Sequence, residues 1–487
     1  MNPPPRLRIT ALELFEAPVA LRMPFRFGVV TMTHAHQAWV RAEVALEDGR
    51  CGVGGAAEIM GPKWFDKNPA LSHEQNIDHL RVVLRLAAQA YLSDAGPDTA
   101  FGHFARHQEA HQRAAATRGH NPLLAAYGPA LVDRAVLDAL CRAAGLGFAD
   151  AVRANLPGIG GRHPAFAGLD FEAFLAGLRP AWGLHARHTV GLADPITDAD
   201  VAEPLHDGLP QTLQQVVRRY GHRYFKLKVS GQAEADLARL QAVAAVLDAE
   251  AGDYAVTLDG NEQYADLGAV DDLLQRLRAA PSLQGLARRV LFVEQPIARQ
   301  HAFDADLRER PLPWPVIVDE SDGTLDAFVQ ARACGYRGIS SKTCKGVYKS
   351  LLNAARCAAW NAEEGTPGRY FMSAEDLTLQ PGLALQQDLA LVDLIGLTHA
   401  ERNGHHYVDG MRARPAAEQQ AFAAAHPDLY ERVRAPDGLE VTRVRLRAGR
   451  LEFGSLRGPG YASAVLPDFG AMERLRQPAG ASPEPRP

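Results

Sequence analysis

Apolar residues change their spacing along the chain, and the changes mark its parts. Over residues 7 to about 60 the pattern is that of half-buried strands. RITALELFEAPVAL and AWVRAEVALEDGRCGVGGAAEI carry β-branched, alternating stretches, broken at the turn-forming pair Asp48-Gly49. Between them, residues 25–37 (FRFGVVTMTHAHQ) read as a loop beside the first strand pair. From about 73 to 150 the apolar positions fall at helical spacing, as in HEQNIDHLRVVLRLAAQAYL and GPALVDRAVLDALCRAAGL. A small sheet followed by helices is an α+β unit.

From residue 184 short apolar runs alternate with amphipathic helices. HARHTVGL, YFKLKV, AVTLDG, VLFVEQPI, PVIVDE, GISSKT, RYFMSAE and DLIGLTH are strand candidates, with helical stretches such as EADLARLQAVAAVLDAEAG between many of them. Eight strands alternating with helices over about 215 residues fit an α/β fold of the (β/α)8 TIM-type barrel class, usually about 250 residues long. The expected organisation is an α+β domain over 1–157, a linker or insertion over 158–183, the barrel over 184–408, and a return segment over 409–475. In that last part LEVTRVRLRAGRLEFGSL resumes a strand pattern and would rejoin the N-terminal sheet. Residues 476–487 are rich in Pro and Ala and read as a loose tail.

Composition narrows the class without naming a chemistry. The chain has 487 residues, too many for one compact core. It is 47% hydrophobic and 22% charged, which excludes wholesale disorder. A net charge of -5 gives no global reason to bind nucleic acid or an anionic membrane. Neither a signal-peptide core nor an apolar run of about 20 residues is present, and five cysteines without metal spacing read as reduced thiols, so a cytoplasmic protein is expected.

The chemistry lies at the strand ends. Lys228 ends KLKV, Asp259 ends VTLD, Glu294 ends LFVE, Asp319 ends VIVD and Lys342 ends ISSK, with successive members 23 to 35 residues apart. Each step is about one strand–helix unit, so in a barrel all five converge at the C-terminal mouth, where such folds keep their active sites. Three carboxylates sharing a cleft repel unless neutralised. An all-oxygen donor set suits a hard cation with open positions, so Mg2+ is the expected cofactor, and Mn2+ meets the same requirements. Asn261, two residues past Asp259, is placed to reach the metal shell or its water. Lys226 and Lys228 leave the same face of one strand. Their mutual repulsion and burial should lower a lysine pKa towards that of a useful base. Lys342 would stand across the mouth, and two amines flanking a metal-bound carboxylate can take the proton from the carbon beside it.

The succession KLK, LDGN, VEQP, VDES and SSKTCK resembles the enolase superfamily, within it the mandelate racemase/muconate lactonizing enzyme family and its muconate-lactonizing branch. The resemblance implies Asp259, Glu294 and Asp319 as Mg2+ ligands, Lys228 and Lys342 as the acid/base pair, and Lys226 steadying the substrate carboxylate or the enolate. It also implies an N-terminal capping domain whose loops, here residues 25–36 and 58–67, close over the mouth, and a homo-oligomer. Glu320 and Glu375 are candidates for substrate or supporting contacts. So is Trp64, which with Phe65 forms a lid pair able to exclude water.

This sequence departs from the family pattern in reading KTCKGVYKS where a Gly-Gly pair is usual, and Asp259-Gly260-Asn261 where Asp-Ala-Asn is common. Lys345 rivals Lys342 as the second base. RYFMSAE lacks the strand-seven His of the racemase branch, and GLTHAERNG lacks the Asp-x-Asp expected of a dipeptide epimerase. His103, His107 and His111 lie at helical spacing without a further ligand, and read as a polar helix face; GIGGR and GVGG lack the full nucleotide-binding fingerprint. The reading is an enzyme abstracting the α-proton of a small carboxylate substrate, leading to racemisation or epimerisation, cycloisomerisation or dehydration. The rivals are an acid-sugar dehydratase and a non-catalytic ligand-binding relative of the same fold.

Overall fold

The computed structural model describes residues 3–94 and 96–478. Its N-terminal part is an antiparallel sheet of β1 (Leu7–Phe27), β2 (Val30–Leu46) and β3 (Cys51–Met60). The loop expected over 25–37 is instead strand. β1 and β2 run on to a tight turn at Gly28-Val29, with Phe27 opposite Val30 and Phe25 opposite Met32. The reason is an alternation that the aromatic and histidine content disguised: Phe25, Phe27, Val30 and Met32 are buried while Arg26, Val29 and Thr31 are exposed.

Three helices cover one face of this sheet: α1 (His73–Leu92), α2 (Ala100–Ala116) and α3 (Pro122–Ala144). Each starts at a side-chain cap, Ser72, Thr99 and Asn121, that accepts from a first-turn amide. α3 lies against β3, and the glycines of GVGG allow it to. A Cβ at Gly52 would fall 2.1 Å from the Ala139 carbonyl oxygen, and one at Gly54 2.2 Å from the Ala139 nitrogen. The cluster is therefore a packing device. Residues 158–183 contain a short helix, Phe171–Gly177, and an aromatic contact between Phe166 and Phe101 at 4.8 Å.

The second part is a parallel sheet of eight strands, each but the last followed by a helix or loop crossover: β4 (Gly183–Val190), β5 (Tyr224–Lys228), β6 (Ala255–Asp259), β7 (Val290–Glu294), β8 (Val316–Val318), β9 (Gly338–Ser341), β10 (Phe371–Ala374) and β11 (His399–Glu401). Their order is β10-β9-β8-β7-β6-β5-β4-β11, a barrel whose remaining seam lies between β10 and β11. The eighth strand differs from expectation. Residues of DLIGLTH up to Leu394 end the helix Leu383–Leu394, Gly396 turns the chain at φ 86°, and the strand begins only at His399. That shift carries Glu401 to the barrel mouth.

The return segment also departs from expectation. β12 (Tyr430–Arg434) and β13 (Glu440–Val444) form their own hairpin, and β14 (Arg450–Glu452) pairs antiparallel with barrel strand β4. Only β15 (Glu473–Arg474) joins the N-terminal sheet, beside Phe15 and Glu16 of β1. Of the tail expected over 476–487, residues 479–487 lie outside the described residues. Among the described residues no helix is long and apolar enough to cross a membrane.

Candidate active site

Strand periodicity places the site. In β5 the alternate residues Lys226 and Lys228 point into the barrel while Phe225 and Leu227 pack outward, and parallel register sets Lys228 beside Asp259 and Asp259 beside Glu294. The structure thus brings together all five strand-end groups named from the sequence. Lys228 Nζ donates to Asp259 Oδ2 at 2.6 Å, and Lys342 Nζ to Asp319 Oδ2 at 2.6 Å. Lys226 lies deeper. Its ammonium contacts Asp259 (2.8 Å), Glu294 (2.9 Å), Glu375 (2.7 Å) and Glu401 (3.0 Å).

Burial and charge pull these groups in opposite directions. Burial disfavours every ion here, but Lys226 and Lys228 outweigh it for Asp259, and Lys342 and Lys345 outweigh it for Asp319, so both carboxyls are held below the usual range. Glu294 goes the other way: burial, Asp259 and Glu375 push its carboxyl well above the usual range. Burial also raises Glu320, next to Asp319 and Glu262. The lowering expected for the strand-end lysines is not what the geometry produces at Lys226 and Lys342. Burial does act to lower them, but the surrounding carboxylates win and raise both.

The two candidates for the second lysine are separated by what they face. Lys342 lines a narrow space of about 30 Å³ together with Lys226, Lys228 and Asn261. Lys345 turns away, donating to the Ser340 carbonyl (2.9 Å) and hydroxyl (2.8 Å) and to the Asp319 carbonyl (3.1 Å). The hairpin tip closes that space with Phe25, Phe27 and Met32, and Trp64 sets its ring 4.1 Å from Lys342 Nζ.

Asn261 donates its side-chain amide to Glu320 at 3.1 Å and its backbone amide to Asp259 at 2.8 Å. Glu375 sits below the mouth, held by Arg187 at 2.5 Å as well as by Lys226. Four further groups were not singled out from the sequence. Glu401 accepts from Thr189 and from the Asp376 amide, and the late start of β11 had hidden it. Lys67 reaches Glu262 (2.5 Å) and Glu320 (3.4 Å), while Arg299 grips Glu262 and the Trp64 and Phe65 carbonyls. The Lys67 contacts and the Arg299 bonds to Trp64 and Phe65 cross from one domain to the other, and no local spacing encodes them. His103, His107 and His111 serve as tethers, to Asp94, Leu7 and Ala125.

A divalent cation fits this donor set. At the mouth the buried oxygens Glu320 Oε2 and Asn261 Oδ1 have no hydrogen-bond partner, and Glu294 Oε2 has only the Lys226 ammonium, at 2.9 Å. Buried oxygens aimed among carboxylates are costly unless something positive meets them.

Residues 209–395 match a family model described as enolase C-terminal domain-like. Similar solved structures include a dipeptide epimerase from Enterococcus faecalis V583 complexed with Mg and L-Leu-L-Tyr, at 15% identity over 93% of this chain and 99% of that one, with TM-score 0.59. A muconate lactonizing enzyme from Mycobacterium smegmatis complexed with muconolactone is 19% identical over 96% of this chain and 99% of that one, with TM-score 0.58. A member of the enolase superfamily from Roseovarius nubinhibens ISM is 18% identical over 96% and 98%, with TM-score 0.58. At these identities the likeness is one of fold. No curated protein matches the sequence.

Proposed function

We propose, on the premise that residues 209–395 belong to the enolase C-terminal domain-like family, that this chain is an enzyme that removes the α-proton of a small carboxylate substrate. The observation that carries the reading is the pair Lys228 and Lys342. Lys228 ends β5 and Lys342 directly follows β9, each on its own aspartate at 2.6 Å, and both face one space at the barrel mouth.

Asp259, Glu294 and Asp319 would hold a Mg2+ ion, with Asn261 and Glu320 supporting it. When bound, the ion would supply positive charge facing the substrate carboxylate, where charge grows. Lys228 and Lys342 then approach the α-carbon from opposite sides. One takes the proton as base, and the other holds or returns a proton on the far face. Return to the opposite face gives racemisation or epimerisation; loss of a β-leaving group, or closure or opening of a ring, gives dehydration or cycloisomerisation. Lys226, paired with carboxylates on several sides, stays charged and steadies the enolate. Trp64 and the aromatic hairpin tip keep bulk water from the lysines. Because the space between them is only about 30 Å³, the hairpin of β1 and β2 must move to admit substrate.

The test is α-proton exchange in deuterated water, with Mg2+, across N-acyl amino acids, dipeptides and acid sugars. Exchange with at least one class, lost in Lys228→Ala and Lys342→Ala while metal binding persists, is expected. Stoichiometric Mg2+ binding with no exchange in any class would overturn the assignment in favour of a ligand-binding protein.

A further inference from the structure

Outside the mouth, three histidines from distant parts of the chain meet. His188 lies on β4, His222 just before β5 and His405 in the turn after β11. In register with Phe225, His188 faces away from the barrel interior, so the cluster sits between the strands and the outer layer, apart from the carboxylates. One ligand nitrogen from each ring lies within 4.8 Å of the other two. The ring centroids are 5.4 Å apart for His188 and His222, and 5.8 Å for His222 and His405.

Each ring also has a buried nitrogen with no hydrogen-bond partner: His188 Nδ1, His222 Nε2 and His405 Nε2. His188 and His222 are only 2% and 1% exposed. The neighbouring His406, its ring 4.9 Å from that of His188, has an unpartnered Nδ1 too, and while one such orphan is an ordinary cost of folding, so many at one place call for something that binds nitrogen lone pairs. His222 is oriented for it. Its Nδ1 faces the Ala186 carbonyl at 3.0 Å, which makes Nδ1 the protonated nitrogen and leaves the lone pair on Nε2. Burial and mutual repulsion keep the rings neutral, as metal binding requires. No carboxylate belongs to the group among the described residues.

We propose that His188, His222 and His405 bind a first-row transition-metal dication of the Zn2+ kind, at a site separate from the carboxylate mouth. All-imidazole donors select such borderline ions over Mg2+, which takes oxygen. Ligand nitrogens around tetrahedral Zn2+ lie about 3.3 Å apart, so the rings close by small side-chain rotations. His405 is only partly buried and gives the ion its entry path. The site ties β4 and β5 to the one-turn helix Gly404–Tyr407 that follows β11. That turn also carries Tyr407, whose ring packs 4.4 Å from Phe25 of the hairpin and whose hydroxyl donates to Asp194. A bound ion would therefore brace the base of the lid.

The full-length chain, stripped with a chelator, is titrated with Co2+ and with Zn2+. One equivalent of Co2+ with visible d–d bands is expected, displaced by Zn2+, together with a raised Tm. X-ray absorption of the Zn2+ form should show imidazole nitrogens at about 2.0–2.1 Å. His405→Gln, the partly exposed ligand, should weaken binding at least tenfold while the fold persists, and Glu294→Gln should leave it unchanged. An oxygen-only shell, or Co2+ binding equal in wild type and His405→Gln, overturns the proposal. So does binding lost in Glu294→Gln but retained in His405→Gln, since it would place the ion at the mouth. The spectroscopic arm uses the unaltered chain, so it stands even if a variant fails to fold, and none of these readouts depends on proton exchange.

Discussion

Arg299 fastens the capping segment to the barrel, and its removal should open the mouth in a measurable way. The side chain is 12% exposed. It donates twice to Glu262, at 2.8 Å each, and once each to the Phe65 and Trp64 carbonyls at 2.9 Å. In Arg299→Met both carbonyl bonds are lost. Glu262 keeps Lys67 at 2.5 Å and the Phe65 oxygen keeps Asn121 at 2.8 Å, so only the Trp64 carbonyl is stranded. Hydrogen bonds to charged groups are worth about 1.5–3 kcal/mol each, so opening of residues 61–67 becomes easier by about 3–5 kcal/mol. That is roughly two to three and a half decades in amide protection, capped by global unfolding. The reporter is the Lys63 amide, which donates to Asn76 of α1 at 2.8 Å. Hydrogen exchange read by mass spectrometry on a peptide spanning 61–67 measures it. Protection within about threefold of wild type in a fully folded variant refutes the strap.

Three further outcomes follow from the same geometry. Lys226→Met leaves the carboxylates of Asp259, Glu294, Glu375 and Glu401 without their shared cation. Urea unfolding should show a loss of about 3–5 kcal/mol, with Mg2+ restoring more in the variant than in wild type; an equal Mg2+ effect on both would place the ion elsewhere. Lys345→Ala should cost more stability than Lys342→Ala, because it strands the oxygens of Ser340 and Asp319, yet retain α-proton exchange. An exchange-dead Lys345→Ala beside an active Lys342→Ala reverses the roles. Burial pushes the Asp133 carboxyl up to about 8 from an ordinary 3.8, with the Tyr91 hydroxyl as its partner at 2.8 Å. Its folded-state value lies above the unfolded one, so its stabilising effect is full below about pH 3.8 and lost as pH rises to about 8. Asp133→Asn should gain on wild type across that window by about 1.4 kcal/mol per pH unit, and parallel pH–stability curves would refute the shift.

The barrel was legible because strand ends repeat at the length of one unit, and because parallel register turns that repeat into proximity: Lys228, Asp259 and Glu294 are neighbours by construction. The hairpin tip was missed because Phe25, Phe27, Val30 and Met32 bury their alternation against the other domain, and a glycine at the turn mimics a loop. Glu401 was missed for a different reason. A helix end, a glycine and a three-residue strand follow one another within DLIGLTHAE, and an apolar run that short does not reveal where helix gives way to strand. The histidine cluster was invisible along the chain. Its members are 34 and 183 residues apart, and only closure of the barrel between β4 and β11 brings them together.

The sign of the lysine shifts carries the wider lesson about this mouth. Reasoning from two like charges on one strand predicts ammonium groups pushed towards neutrality, and that holds only while the opposing carboxylates are engaged elsewhere. In the structure they are engaged with the lysines: Asp259 takes Lys226 and Lys228, and Asp319 takes Lys342 and Lys345, and the charged forms of Lys226, Lys342 and Lys345 are favoured. Glu294 and Glu320 are both raised, Glu294 against the Lys226 ammonium at 2.9 Å and Glu320 with Lys67 at 3.4 Å and one oxygen without a hydrogen-bond partner. A dication held among these groups would compete with Lys226 for Glu294 and with Lys67 for Glu320, as well as with the lysines on Asp259 and Asp319. The lysines' basicity and the occupancy of the carboxylates are therefore one variable. On the proposed reading, the lysine that acts as base would be freed from its aspartate by the same competition. On that reading, the coupling is what would let so densely ion-paired a mouth carry proton transfer.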